Sequence, residues 1–154
     1  MSRTREKRGI KMAGFVAKAS IAIKVDVDRV WTALIDPKLI KQYLFGTEAS
    51  SDWKLGSAIT YRGVWEGKPY EDKGRIFELV AGKVFTSTYW SPMSGLPDLP
   101  ENYATVSYTL EEAKGETRLT VTQDNNPTEE SAKHSQGNWE MVLKGMKELL
   151  EREG

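Results

Sequence analysis

The closing stretch of the chain restricts its fold more than any other feature. From Pro127 to Arg152 the apolar residues Ala132, Trp139, Val142, Leu143, Met146, Leu149 and Leu150 recur at intervals of three and four, the repeat that lines one face of an α-helix. A helix over residues 127–152 runs for about 39 Å at 1.5 Å per residue. Each large side chain on its apolar face contributes about 1.5–3 kcal/mol when buried, so the rest of the chain must supply a broad apolar surface for it to cover. Asn126 reads as the N-cap, Pro127 as the first helical residue and Glu129 as the third, close to a capping box. Gly137 and Gly145 each cost this helix about 1 kcal/mol of propensity. Close approach of backbone or ligand would explain them, as would simple tolerance.

The surface to be covered is encoded upstream. Between Thr47 and Gln123, β-branched and aromatic residues alternate with polar ones, and glycine-bearing turns interrupt them at Leu55-Gly56, Glu66-Gly67, Ala81-Gly82 and Lys114-Gly115. This pattern predicts strands at 47–53, 57–65, 70–80, 84–90, 103–112 and 117–123, antiparallel because most connections are short. Another strand precedes them, since Phe15, Ala17, Ala19, Ile21, Ile23 and Val25 alternate on one face. Two short helices follow it. Asp26 or Asp28 caps the first, which presents Val30, Trp31 and Leu34; Asp36 caps the second, with Pro37 at its first position and Ile40, Tyr43 and Leu44 buried before Gly46 ends it. The long connection Ser91–Asn102 contains Pro92, Gly95, Pro97 and Pro100. It is expected to be irregular and to form a lid or rim.

Length and composition narrow the classes. A chain of 154 residues suits one domain, large enough to remove about 70% of its unfolded surface from water. It has no cysteine, which excludes disulfides, thiolate metal sites and a thiol nucleophile. No run reaches the roughly 18 apolar residues of a spanning helix, and no apolar leader follows the basic N-terminus; the expected location is cytoplasmic, without membrane insertion. The formal net charge of zero hides an asymmetry, with Arg3, Arg5, Lys7, Arg8 and Lys11 against Glu6 at the start, and 17 basic against 21 acidic groups thereafter. Residues 1–12 are read as a basic flexible tail, with Met12 as an alternative start, and residues 13–154 as the single domain. An acidic body is a poor platform for nucleic acid.

Several motifs together resemble one family. Ser20 to Pro37 (SIAIKVDVDRVWTALIDP), Asp52 to Ser57 (DWKLGS), Gly74 to Val80 (GRIFELV), Thr117 to Thr122 (TRLTVT) and the GNWEMVLKGMKELLE ending are similar, in that order, to the SRPBCC or START-like superfamily. Within it they resemble the proteins like the activator of heat-shock-protein 90 ATPase. The resemblance spans about Phe15 to Arg152. It implies an α+β helix-grip fold, β-α-α-β6-α, in which a curved antiparallel sheet surrounds the long C-terminal helix and leaves a pocket between them. Ala81-Gly82 stands where the family commonly has proline, a departure that bears on turn shape. The matched residues are turn glycines and core aromatics, so they carry the fold and no particular reaction.

Few side chains suggest chemistry. His134 is the only histidine, so a histidine-rich metal site and any catalytic histidine pair are ruled out, and it reads as a surface position on the helix. A nucleophile elbow and phosphate-binding glycine loops are both absent. Glu111-Glu112 and Glu129-Glu130 fit a hairpin and a helix start, and Asp124-Asn125-Asn126 fits a turn and cap better than a cation loop. The aromatic set is more telling. Tyr61, Trp65, Tyr89, Tyr103 and Trp139, with Arg75 as a partner for an anionic head group, are the candidate cavity residues, because tyrosine and tryptophan offer an apolar body with a polar tip. Trp65 and Tyr89 are expected to respond to a ligand more than Trp53, which lies near a turn. Arg62 shares the ambiguity of Arg75: alternation leaves inward and outward placements open.

The reading favoured by these residues is non-catalytic binding of an apolar or aromatic small molecule, by a monomer or homodimer, with no cofactor. Two alternatives come from the resemblance: a chaperone-interaction module linked to the stress response, and an enzyme like the polyketide cyclases and aromatases.

Overall fold

The computed structural model describes residues 6–7, 10–11 and 14–153. The elements in chain order are β1 (Glu6–Lys7), β2 (Ile10–Lys11), β3 (Phe15–Ile23), α1 (Val27–Ile35), α2 (Pro37–Tyr43), β4 (Glu48–Ser51), β5 (Ala58–Trp65), β6 (Lys68–Val80), β7 (Val84–Tyr89), β8 (Ala104–Ala113), β9 (Glu116–Asn126) and α3 (Glu129–Glu153). The expected flexible tail falls mostly outside the described residues; within it, β1 and β2 pair antiparallel, Glu6 opposite Lys11. The remaining strands form one curved antiparallel sheet in the order β3-β9-β8-β7-β6-β5-β4. Sequence neighbours pair throughout, except that β3 closes the sheet against β9, with Ala19 opposite Val121 and Ile23 opposite Thr117.

Local chemistry explains the short elements. Asp26 accepts a hydrogen bond from the Arg29 N–H and caps α1, and Asp36 accepts from the Lys38 N–H with Pro37 opening α2, each filling an otherwise unpaired helix donor. In the hairpins joining β5 to β6 and β8 to β9, Glu66-Gly67 and Lys114-Gly115 all have positive φ, the conformation whose twist suits two-residue turns.

The sheet and helices enclose one apolar cluster that includes Ile23, Val30, Leu34, Ile40, Ile59, Ile76, Phe85, Leu119, Val121, Leu143, Met146 and Leu150. The second half of α3 is bolted to this core. Val142, Leu143, Met146, Leu149 and Leu150 are buried; Lys147 Nζ donates to the Ala22 carbonyl, and Glu151 accepts from the Lys24 N–H. Its first half presents smaller or polar residues, Ala132, Ser135 and Asn138, around Trp139, and leaves space beneath.

The start of α3 differs from the sequence expectation. The helix begins at Glu129, and Thr128 is its cap: Thr128 Oγ1 accepts from the Ser131 N–H while Ser131 Oγ accepts from the Thr128 N–H. Asn126 instead ends β9, opposite Phe15, and its amide donates to the Phe15 and Gln123 carbonyls. Sheet pairing runs up to and includes Asn126 because Phe15 supplies a partner that local sequence cannot reveal. Phe15 itself is exposed at the strand end, unlike the inward face expected for it.

Candidate functional site

A cavity of about 250 Å³ lies between the inner face of the sheet and the first half of α3. Alternation along five strands builds its wall. Tyr61 comes from β5, Asp72 from β6, Ser87 and Tyr89 from β7, Val106 and Tyr108 from β8 and Gln123 from β9; Leu44 and Thr47 follow α2, and Ser135, Asn138, Trp139 and Val142 descend from α3. The space exists because the core-facing stripe of α3 carries serine and asparagine where its second half carries leucine, valine and methionine.

The aromatic rings are held by one another. Tyr61 and Tyr89 meet with centroids 6.5 Å apart, Tyr108 stacks on Phe85 at 5.9 Å, and Trp139 meets Tyr108 edge-on at 5.8 Å. Hydrogen bonds fix the polar tips. Trp139 Nε1 donates to Gln123 Oε1 over 2.8 Å, Ser135 Oγ donates to Asn126 Oδ1 over 2.9 Å, and the Thr47 and Tyr70 hydroxyls lie 2.7 Å apart. Tyr70 reaches Thr47 because it lies over Gly63, its cross-strand partner, where a Cβ would stand 2.5 Å from the Tyr70 hydroxyl.

The only ionisable carboxylate in this wall is Asp72, which is 8% exposed. Its Oδ2 accepts from the Tyr89 hydroxyl over 2.5 Å, and its Oδ1 is buried without a hydrogen-bond partner. Burial first, and the Asp72 charge second, push the Tyr61 and Tyr89 phenols above their ordinary value; burial does the same to Tyr108. All three therefore remain protonated donors near neutral pH. The wall contains no lysine, arginine or histidine.

Of the residues singled out in the sequence, Tyr61, Tyr89 and Trp139 come together here, whereas Trp65, Arg75 and Tyr103 do not. Trp65 shares a strand face with Tyr61 but sits at the β5–β6 hairpin tip and is 54% exposed. Arg75 points to the outer face, where its guanidinium donates to the Gly56 carbonyl. Tyr103 also lies on that face, stacked on Trp90 and donating to Asp98. The proline-rich connection folds there too: Trp90 Nε1 donates to the Leu96 carbonyl and Lys73 pairs with Asp98. It borders a separate outer hollow with Arg75, Phe77 and Thr88, rather than forming a lid over the cavity. Arg62 likewise lies outward, paired with Glu71 across 2.6 Å. Trp53 is no neutral turn residue, because it packs on Phe85 at 6.4 Å. His134 is exposed.

Sequence reasoning missed Asp72 and Tyr108. Tyr70, Asp72, Gly74 and Ile76 alternate toward the face that buries Ile76, so parity alone marks Asp72 as inward. Among the described residues, no three His, Asp or Glu side chains gather as metal ligands, and no helix is long and apolar enough to cross a membrane.

The geometry agrees with what comparison finds. A solution structure of ChR145 from Cytophaga hutchinsonii is 43% identical over 92% of this chain and 97% of its own, with a TM-score of 0.81. At the level of the fold, the chain is similar to CalU16 from Micromonospora echinospora (19% identity, 96% and 82% coverage, TM-score 0.72). It is also similar to the Aha1 dimer from Colwellia psychrerythraea (19% identity, 88% and 90% coverage, TM-score 0.68). No curated protein matches significantly. The family profile described as "Activator of Hsp90 ATPase homolog 1-like protein" matches residues 24–151, and the chain belongs to that family.

Proposed function

We propose that the chain binds a small apolar or aromatic molecule in the cavity beneath the first half of α3, and that it acts in the cytoplasm as a carrier or sensor. The observation that supports this reading is the wall itself: four aromatic rings and three aliphatic side chains converge on about 250 Å³ with a few oriented polar groups, the usual composition of a small-molecule site.

The test is a panel of aromatic and acyl compounds read by tryptophan fluorescence and melting temperature. A ligand at a hundred times its Kd should stabilise the protein by about 2.7 kcal/mol. Asn138→Phe, which fills the cavity from an α3 position with an exposed edge, should abolish the response while the protein still melts cooperatively. Trp65→Ala at the hairpin tip should leave it intact. A panel without any response, or an unchanged response in Asn138→Phe, would sink the reading.

The family description favours a second reading, a chaperone-interaction module. It requires that adding this chain change the ATPase rate of a heat-shock-protein 90 chaperone. An unchanged rate beside retained ligand binding leaves the cavity reading standing alone.

A further inference from the structure

We infer that the ligand of this cavity carries a protonated amine, seated on Asp72 and against the aromatic rings; the inference rests on the binding function proposed above. A buried carboxylate is costly unless its charge is paired and its oxygens are hydrogen-bonded. Asp72 meets half of that requirement. Tyr89 serves Oδ2, but Oδ1 has no partner although the residue is over nine-tenths buried, and no cationic side chain lines the cavity to balance the charge.

What would complete the site is therefore a donor that is also a cation. A neutral hydroxyl would donate to Oδ1 and leave the charge uncompensated, whereas an ammonium both donates and compensates the charge. The surroundings suit the same group. Tyr61 and Tyr89, 6.5 Å apart, flank Asp72, and Tyr108 and Trp139 continue the aromatic wall; ring faces attract cations within about 6 Å. The cross-strand register reinforces the assignment, because Tyr61 pairs directly with Asp72. The rest of the wall, Leu44, Val106 and Val142, would take an apolar or aromatic body. The ligand class is an aralkyl or alkyl amine rather than a fatty acid or another anion.

Three probes of nearly equal size separate the contributions: 2-phenylethylamine, 2-phenylethanol and propylbenzene. Each would be titrated into the intact chain at neutral pH and followed by calorimetry and by the NMR signal of the Trp139 indole N–H. The amine should bind at least about tenfold more tightly than either neutral probe, the scale of one charge-assisted hydrogen bond. Asp72→Asn should collapse that preference. Alcohol or hydrocarbon binding as tight as the amine in the unmodified protein would overturn the amine assignment and leave the apolar-cavity reading in place. If no probe perturbs Trp139, both fall. The comparison among probes needs only the unmodified chain, so it decides the question even if Asp72→Asn fails to fold.

Discussion

At Gly74 one added carbon separates a tolerated change from a ruinous one. A Cβ there would lie 1.7 Å from the Thr88 carbonyl oxygen and 2.6 Å from its carbon, atoms of backbone that cannot retreat without opening β6 from β7. Gly74→Ala should therefore cost about 3 kcal/mol or more, as for other severe core changes. At Gly137 a Cβ meets nothing within 4 Å, so Gly137→Ala should stabilise α3 by about 0.5–1 kcal/mol. Urea denaturation of both variants checks the pair, and a destabilised Gly137→Ala would mean that this stretch of α3 is not a regular exposed helix. The two glycines differ in whether a neighbouring strand approaches, which the sequence does not display. Asp72 makes the complementary case: strand parity made its direction legible, while the absence of a partner at Oδ1 emerged only from where five strands and a helix placed their side chains.

The junction of β9 and α3 is where element boundaries were hardest to read. Asn126-Pro127 has the form of a helix start, yet the cap is Thr128, and Asn126, 4% exposed, ties β9 to both β3 and α3 through Phe15 and Ser135. Thr128→Ala should cost about 1 kcal/mol, the usual loss of an exposed cap. Asn126→Ala takes the partner from three part-buried groups, the Phe15 and Gln123 carbonyls and the Ser135 hydroxyl, and should cost about 1–3 kcal/mol. Equilibrium unfolding should rank Asn126→Ala as the more damaging; the reverse order would restore Asn126 as the cap. The same lesson applies to Ser91–Asn102. Its prolines announced an irregular connection, and two single-turn 3₁₀ segments at Pro92–Ser94 and Pro100–Asn102 bear that out. Which face of the sheet it covers depended on Lys73 of β6, paired with Asp98, and on the stacking of the flanking Trp90 and Tyr103 on each other, contacts that no local pattern names.

Across the whole molecule, burial of phenols ties stability to alkaline pH. Tyr43, Tyr61, Tyr89 and Tyr108 all have their ionisation pushed above the ordinary value near 10, burial being the largest cause in each. In the unfolded chain these groups ionise at about pH 10; in the folded protein they stay neutral. Their contribution is thus complete below that pH and is lost as pH rises above it, by up to about 1.4 kcal/mol per pH unit for each phenol. Denaturant midpoints between about pH 9 and about pH 11 should fall accordingly, and Tyr108→Phe should flatten the decline; an identical slope in that variant would contradict the burial of its phenol. From sequence alone followed the element types, a cap at Asp26 or Asp28 and another at Asp36, and the glycine turns, while the family resemblance implied the grip of a curved sheet on the last helix. The element types, caps and turns rest on interactions within a few residues, or on a periodicity that any single element displays. Tertiary structure alone decided the cavity, the isolation of Asp72 and the packing of Tyr103 on the outer face. Those depend on how a curved sheet brings together residues from Leu44 to Val142, and the register between strands so far apart in the chain is set by packing, not by local preference.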